Sequence, residues 1–300
     1  MRPAIFVGVS SGLGNQMFQY AAGRAMSVRT GLPLMLDLDW FSRPSGQVTP
    51  RRYGLDVFSL AGEIATREQI VAVRQNLLER RFGLVPLTEV ITFFREPYRR
   101  YWPEIAAING PAYLDGYWQS PRYFDPAPDV IRQDFAFPPL PSEAARELAA
   151  AMVTAPGAVA IHVRRTDYID GAFSFRFANC CPPEYYSAAL EQLEARASDP
   201  LTLFLFSDDP VWVRANFDTR GHAATVVDFP EHREAPHHDM HLMSLARHHI
   251  IANSTFSWWG AWLASRPGQS VTAPRRWFAN LDENRAFGTA DRYLPGWTVV

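Results

Sequence analysis

The chain has 300 residues, 47% of them apolar and 20% charged, with a formal net charge of −2. That composition belongs to a globular protein of one large domain or two ordinary ones, and it excludes a disordered chain or a global basic footprint for nucleic acid. The two cysteines, Cys180 and Cys181, are adjacent in sequence, so they supply neither a disulfide framework nor metal-site spacing.

Residues 4–9 form an apolar run that predicts a first strand, followed by a glycine-rich turn, Ser10-Ser-Gly-Leu-Gly-Asn15. The run is too short for a signal peptide core or a membrane span, and no later run reaches spanning length, so a reducing cytoplasm is the expected location. A helix is expected from about Gln16 to Thr30, packed through Phe18, Ala21, Ala22, Ala25 and Met26 and stopped by Gly31 and Pro33. Leu34–Asp39 reads as a second strand, with Asp37 and Asp39 on one face near its end. This βαβ opening implies a parallel sheet. Residues 40–60 read as loop, 66–78 as helix, and two short strands are expected near 88–94 and 112–116. From Gln119 to Leu140 the chain is rich in proline and aromatic residues, which marks the boundary between domains 1–140 and 141–300.

The second half alternates again. Ser142 is a helix cap; strands are expected at 158–163, 202–206, 224–228, 248–252 and, last, 270–273. Helices are expected at 183–197, 210–217, 238–247 and 256–265, the last with Trp258, Trp259 and Trp262 buried. The fold class is therefore α/β, with two Rossmann-like domains facing one another.

The chemistry gathers where apolar runs end, which is where open parallel sheets bind ligands. After Ala158-Val-Ala-Ile come His162, Arg164, Arg165 and Asp167. Two guanidiniums there suit a diphosphate, because each offers a rigid fork of donors and a permanent charge. The plainer alternative is a surface ion pair with Asp167. Phe204-Leu-Phe-Ser-Asp-Asp-Pro210 ends in two carboxylates, Asp208 and Asp209, which either accept from a purine, ribose or metal or cap the helix ahead of Pro210. Asn253-Ser-Thr-Phe-Ser257 offers hydroxyls and a helix start, an anion-friendly edge or a simple cap. Gly12-Leu-Gly-Asn-Gln16 is neither a G-x-G-x-x-G fingerprint nor a P-loop, and reads first as a tight strand–helix turn with amide donors at Asn15 and Gln16. His237, His238, His241, His248 and His249 fit no single metal face. Together these ends point to a nucleotide diphosphate held in a cleft between two domains.

Gly12-Leu-Gly-Asn-Gln-Met-Phe-Gln-Tyr-Ala21, His162-Val-Arg-Arg-Thr-Asp167 and Asn253-Ser-Thr-Phe-Ser-Trp-Trp-Gly-Ala-Trp-Leu263 resemble, in order and spacing, the bacterial α-1,2-fucosyltransferases of glycosyltransferase family 11. Thr49-Pro-Arg-Arg-Tyr53, Phe206-Ser-Asp-Asp209 and Pro274 followed by Trp277 match too. The resemblance implies a GT-B arrangement, GDP-fucose as donor, a galactose-terminated glycan as acceptor and inversion to an α-1,2 linkage; with arginine and helix N-termini to meet the leaving diphosphate, no metal or other cofactor is expected, and membrane contact is expected to be peripheral at most. It implies that Arg164 holds the β-phosphate, that His162 and Asp208 lie near guanine, that Asn253, Ser254, Thr255 and Ser257 line the phosphates, and that Gly14 and Asn15 lie beside the reaction centre. Arg165 and Asp167 are expected to shape the loop. The turn carries no carboxylate, so the general base is left among Asp37, Asp39 and Asp170, with a weakly assisted proton transfer as the alternative.

Overall fold

A computed structural model describes residues 2–42, 51–81, 91–96, 100–169, 174–264 and 266–300. The chain divides into two compact units, Met1–Ala136 and Phe137–Val300.

The first unit runs β1 (Ile5–Gly8), α1 (Leu13–Thr30), β2 (Leu34–Asp37), β3 (Glu63–Ile64), α2 (Arg67–Arg81), β4 (Thr92–Arg95), β5 (Ala112–Asp115) and α3 (Pro128–Asp134). Its sheet is wholly parallel, in the order β3-β2-β1-β5-β4. Central β1 is buried on both faces, which is why it reads as an unbroken apolar run rather than an alternating one. Helix α1 lies close against it: a Cβ on Gly23 would come within 2.2 Å of the Val7 side chain. The helix begins at Leu13, earlier than the expected Gln16, because the Gly12 carbonyl accepts the amide N–H groups of Asn15 and Gln16. Gly14 and Asn15 therefore stand in its first turn. Strand β2 stops at Asp37, and Asp39 opens a 3-10 turn, so the two carboxylates do not share a strand face. The stretch after Gln119 is not plain linker: it contains α3, tied to α1 by Tyr20 Oη and Arg24 Nε, which donate to Asp134 at 2.7 and 2.8 Å. Part of the strand expected at 88–94 falls outside the described residues; the rest is β4.

The second unit runs α4 (Glu143–Thr154), β6 (Gly157–Val163), α5 (Thr166–Ile169), α6 (Ser174–Phe177), α7 (Pro183–Glu194), β7 (Leu201–Ser207), α8 (Pro210–Asn216), β8 (Ala223–Val227), α9 (His237–Leu245), β9 (His248–Ile250), α10 (Thr255–Ala264), β10 (Val271–Ala273), α11 (Leu281–Ala286) and β11 (Thr298–Val299). Ser142 caps α4 as expected, its Oγ accepting from the Ala145 N–H at 3.2 Å. The sheet is parallel throughout, ordered β11-β10-β9-β6-β7-β8. Edge strand β11 lies beyond the last strand expected from the sequence. Counted within the unit, the order is 6-5-4-1-2-3, the doubly wound arrangement, and it reverses between β6 and β9. Alternation sorts the residues of β6 between two cores: Val159, Ile161 and Val163 pack on Tyr185, Tyr186 and Leu190, while Ala158 and Ala160 pack on Met152, Leu242 and Met243. Trp258 and Trp259 are fully buried and Trp262 nearly so, as expected. Both units are thus Rossmann-like parallel α/β layers, and the fold is of the GT-B type.

Candidate functional site

In the second unit the switch point between β6 and β9 collects the polar residues singled out above. His162, near the end of β6, is buried, and its Nδ1 lies 2.9 Å from Ser257 Oγ in the first turn of α10. That contact spans the place where strand order reverses. One step on, Arg164 Nε pairs with Asp208 at 3.3 Å. Asp208 also accepts from the Arg165 N–H at 2.9 Å, the Thr166 N–H at 3.1 Å and the Thr166 hydroxyl. One carboxylate after β7 therefore caps α5 and holds the Arg164 guanidinium against it; the resemblance had suggested guanine as its neighbour. Arg165 turns the other way, pairing with Asp209 at 3.3 Å and lying 3.6 Å over the Trp212 ring. Asp209 caps α8 by accepting from the Trp212 N–H at 3.0 Å. Both acids thus do capping work, and Arg165 is held by an ion pair and an aromatic face.

The β9 end is built differently. Asn253 is 2% exposed; its Nδ2 donates to Trp277 O at 3.1 Å, and its carbonyl accepts from Tyr168 Oη at 3.0 Å. Its amide is spent on the fold. Ser254 Oγ accepts from the Phe256 N–H at 3.3 Å, and Thr255 opens α10, so these two residues form the start of the helix. Beside Arg164, Tyr168 and Asn253 opens a cavity of about 400 Å³, which Tyr186, Trp212 and Cys181 also line. Burial raises the Tyr186 phenol well above its ordinary value and pushes the Cys180 thiol, also on the cavity wall, up to about 12. These two wall groups are neutral, and the charged residues lining the cavity among those described are Arg164, Arg165 and Asp218.

In the first unit the corresponding reversal lies between β1 and β5. Asn15 Oδ1 there accepts from Gln119 Nε2 at 2.7 Å, across that point. Gln16 binds the backbone of Ser11, Arg52 and Gly54, and Gln19 binds Ser10 and Gly116. Neutral amides fix the start of α1 at this edge. Asp37 is 4% exposed, with Oδ2 accepting from Tyr113 Oη at 2.7 Å and Oδ1 from the Asp39 N–H at 2.9 Å. Asp39 pairs with Arg74 at 2.6 Å. Asp37 thus ties the end of β2 to Tyr113 of β5, and Asp39 ties the turn after β2 to α2. Asp170 and the side chain of Asp167 lie outside the described residues.

The profile of glycosyl transferase family 11 matches residues 101–300. The chain is 31% identical over 278 residues to an alpha-1,2-colitosyltransferase of Escherichia coli, covering 92% of this chain and 93% of that one. The chain belongs to glycosyltransferase family 11. It is also similar to the O-antigen biosynthesis glycosyltransferase WbnK of Escherichia coli, at 28% identity across 92% of this chain and 96% of the other. In fold it is similar to the NodZ alpha-1,6-fucosyltransferase solved after soaking with GDP-fucose: TM-score 0.50, 16% identity, 88% of this chain and 93% of that one.

For this family member, sequence reasoning missed the run after β5, Gly116-Tyr-Trp-Gln-Ser120. It carries the same signal as the other ends, an apolar strand that breaks into polar residues, but it straddles the expected strand 112–116 and the boundary stretch that begins at Gln119. Trp212 and Tyr168 were missed as well, because their partners, Arg165 and Asn253, are set by tertiary packing. Among the described residues, no group of three or more His, Cys, Asp or Glu is placed to hold a metal ion, and no helix is long and apolar enough to cross a membrane.

Proposed function

We propose that this family 11 enzyme is an inverting transferase that moves L-fucose from GDP-fucose to the 2-hydroxyl of a terminal galactoside, forming an α-1,2 linkage. The observation that carries the reading is Arg164, held by Asp208 at the switch point of the second unit beside a 400 Å³ cavity. The second unit takes the GDP-sugar and the first takes the acceptor side. As the C1–O bond breaks, negative charge grows on the β-phosphate, and a preplaced guanidinium stabilises that state more than the ground state. His162, Ser254, Thr255 and Ser257 complete the donor side; Arg165, Asp167, Asp208 and Asn253 keep it in shape. Asn15 and Gly14 form the turn next to the reaction centre, and Asp170 remains the proposed proton acceptor. With arginine and a helix start meeting the charge, turnover needs no divalent metal, and EDTA leaves it intact.

A second reading has one observation behind it. The relative at 31% identity transfers colitose, a 3,6-dideoxy sugar that differs from fucose by a single hydroxyl. Incubation with GDP-fucose, GDP-colitose, GDP-mannose and UDP-sugars, with a galactoside panel and product linkage analysis, separates the readings. Transfer from GDP-fucose to the galactose 2-position is expected. Transfer from GDP-colitose alone establishes the second reading, and turnover of GDP-mannose or a UDP-sugar alone defeats both.

A further inference from the structure

The turn after β1 and the turn after β5 are clamped to one another more tightly than a strand–helix connection requires. Ser11 and Trp118, neither a glycine, both adopt left-handed backbone, with φ of 67° and 57°. Such strain persists only where the surroundings fix it, and it gathers at functional sites. Around Trp118 the fixing groups are visible. Glu96 Oε2 accepts from the Tyr117 N–H at 2.7 Å and the Trp118 N–H at 3.1 Å. A Cβ on Gly116 would lie 2.4 Å from the Glu96 Cβ, so the carboxylate reaches the turn only because residue 116 is glycine. Gln19 Nε2 holds the Gly116 carbonyl at 3.1 Å, and the Ser120 N–H closes on the Trp118 carbonyl at 2.8 Å.

The residue delivered by this clamp is Gln119, 5% exposed, with its Nε2 donating to Asn15 Oδ1 at 2.7 Å. An amide side chain has one accepting end and one donating end. Gln119 occupies the accepting end of Asn15. Asn15 is itself half-buried in the first turn of α1, and its Nδ2 makes no hydrogen bond among the described residues. The side chain is therefore set with its N–H donors outward.

We infer that Gln119 is a positioning residue that fixes Asn15 as a hydrogen-bond donor to an oxygen of the bound substrate. The inference rests on the reading above that the Asn15 turn borders the reaction centre. It adds a polarity to that turn. Asn15 presents hydrogen to the substrate, so it pairs with an oxygen lone pair, of sugar or of phosphate, and does not take the proton from the attacking hydroxyl. Because the amide is oriented before substrate arrives, no rotamer search is needed at the moment of reaction.

A double-mutant cycle tests this, with kcat and KM measured for each variant and melting temperature as the folding control. Gln119→Glu keeps the shape but removes the donor, so Asn15 turns its N–H groups inward toward the new carboxylate. The expected result is a fall in kcat of tenfold or more with the melting temperature held, and less than a twofold further effect of Gln119→Glu in an Asn15→Ala background. Asn15→Asp keeps the bond from Gln119 but presents an acceptor outward, and should lose as much kcat as Asn15→Ala. That variant also decides the matter if Gln119→Glu does not fold. Retention of kcat by Asn15→Asp, or equal losses from Gln119→Glu with and without Asn15, overturns the positioning role while leaving the turn at the reaction centre. Wild-type turnover in Asn15→Ala overturns both.

Discussion

The two sheets solve one structural problem with different chemistry. Each reverses its strand order beside its first strand, and in each a side-chain contact crosses the reversal: His162 to Ser257 in the second unit, Asn15 to Gln119 in the first. Around His162 the supporting pairs are ionic, Arg164 with Asp208 and Arg165 with Asp209. Around Asn15 they are mainly amides, Gln16 and Gln19 binding backbone and Gln119 binding Asn15, with the Glu96 carboxylate accepting from the Tyr117 and Trp118 N–H groups beside them. A diphosphate carries permanent charge and calls for guanidinium; a glycan hydroxyl is neutral and is better matched by amides, which donate and accept without a desolvated charge. That difference between the edges is one reason for the division of labour proposed for the two units.

The sharpest way to break that contrast is Arg164→Ala. If the second unit meets the developing phosphate charge, turnover should fall by about 10²–10³-fold, the scale seen when one transition-state donor is removed. Melting temperature should hardly move, because Asp208 keeps the Arg165 N–H and the Thr166 N–H and hydroxyl as donors. Steady-state assay beside a thermal melt reads both. Turnover within threefold of wild type would leave the charged edge without its assigned purpose.

Asp208→Asn comes next in size. It leaves Arg164 in place but removes the anion that holds it, and it puts an amide N–H among four donors. We expect kcat to drop about tenfold and stability to fall by about 1 kcal/mol, because the pair is only partly buried and solvent screens it. Loss of stability with unchanged kcat would mean that Asp208 serves only the loop and that Arg164 needs no orientation.

This network also shows what the sequence could disclose. Strands β1, β6 and β7 are largely apolar runs, interrupted only by His162 in β6 and by Thr202 and the terminal Ser207 in β7, and their polar ends are legible one after another. Strands β3 and β11 are two residues each, with Glu63 and Ile64 both exposed, so no periodicity announces them. The polar residues at the ends of β6, β7 and β9 are legible as types but not as jobs. Nothing local says that Asp208 serves a turn 42 or 43 residues earlier, or that Gln119 meets Asn15 across 104 residues of chain. Those partners are chosen by parallel strand order, which brings chain-distant turns to one edge. The start of α1 was missed for a local reason: the glycines at 12 and 14 read as a turn, yet the Gly12 carbonyl already accepts helical hydrogen bonds.

The smallest effect separates the units by titration. All eight histidines lie in the second unit. His249 is 2% exposed; its Nε2 faces the Met243 carbonyl at 2.9 Å, and Gln269 Nε2, which only donates, faces its Nδ1 at 3.2 Å. The ring must therefore be neutral, and burial lowers its pKa to about 4. Desolvation lowers His238, His241 and His248 as well. A histidine depressed in the folded state stabilises it fully above the unfolded pKa of about 6.5 and loses that stabilisation as pH falls toward the folded value. Between pH 7 and pH 6 His249 alone should cost on the order of 0.5–1 kcal/mol, with the other three adding in the same direction. Hydrogen exchange corrected for intrinsic rates should show protection falling in β6, β7 and β9 and unchanged in β1, β2 and β5. The amide-held edge has no histidine to protonate, so acid in this range reaches it only if the two units unfold together. Equal loss of protection in both sheets would show that they do, and the contrast between them would then be one of chemistry without independent stability.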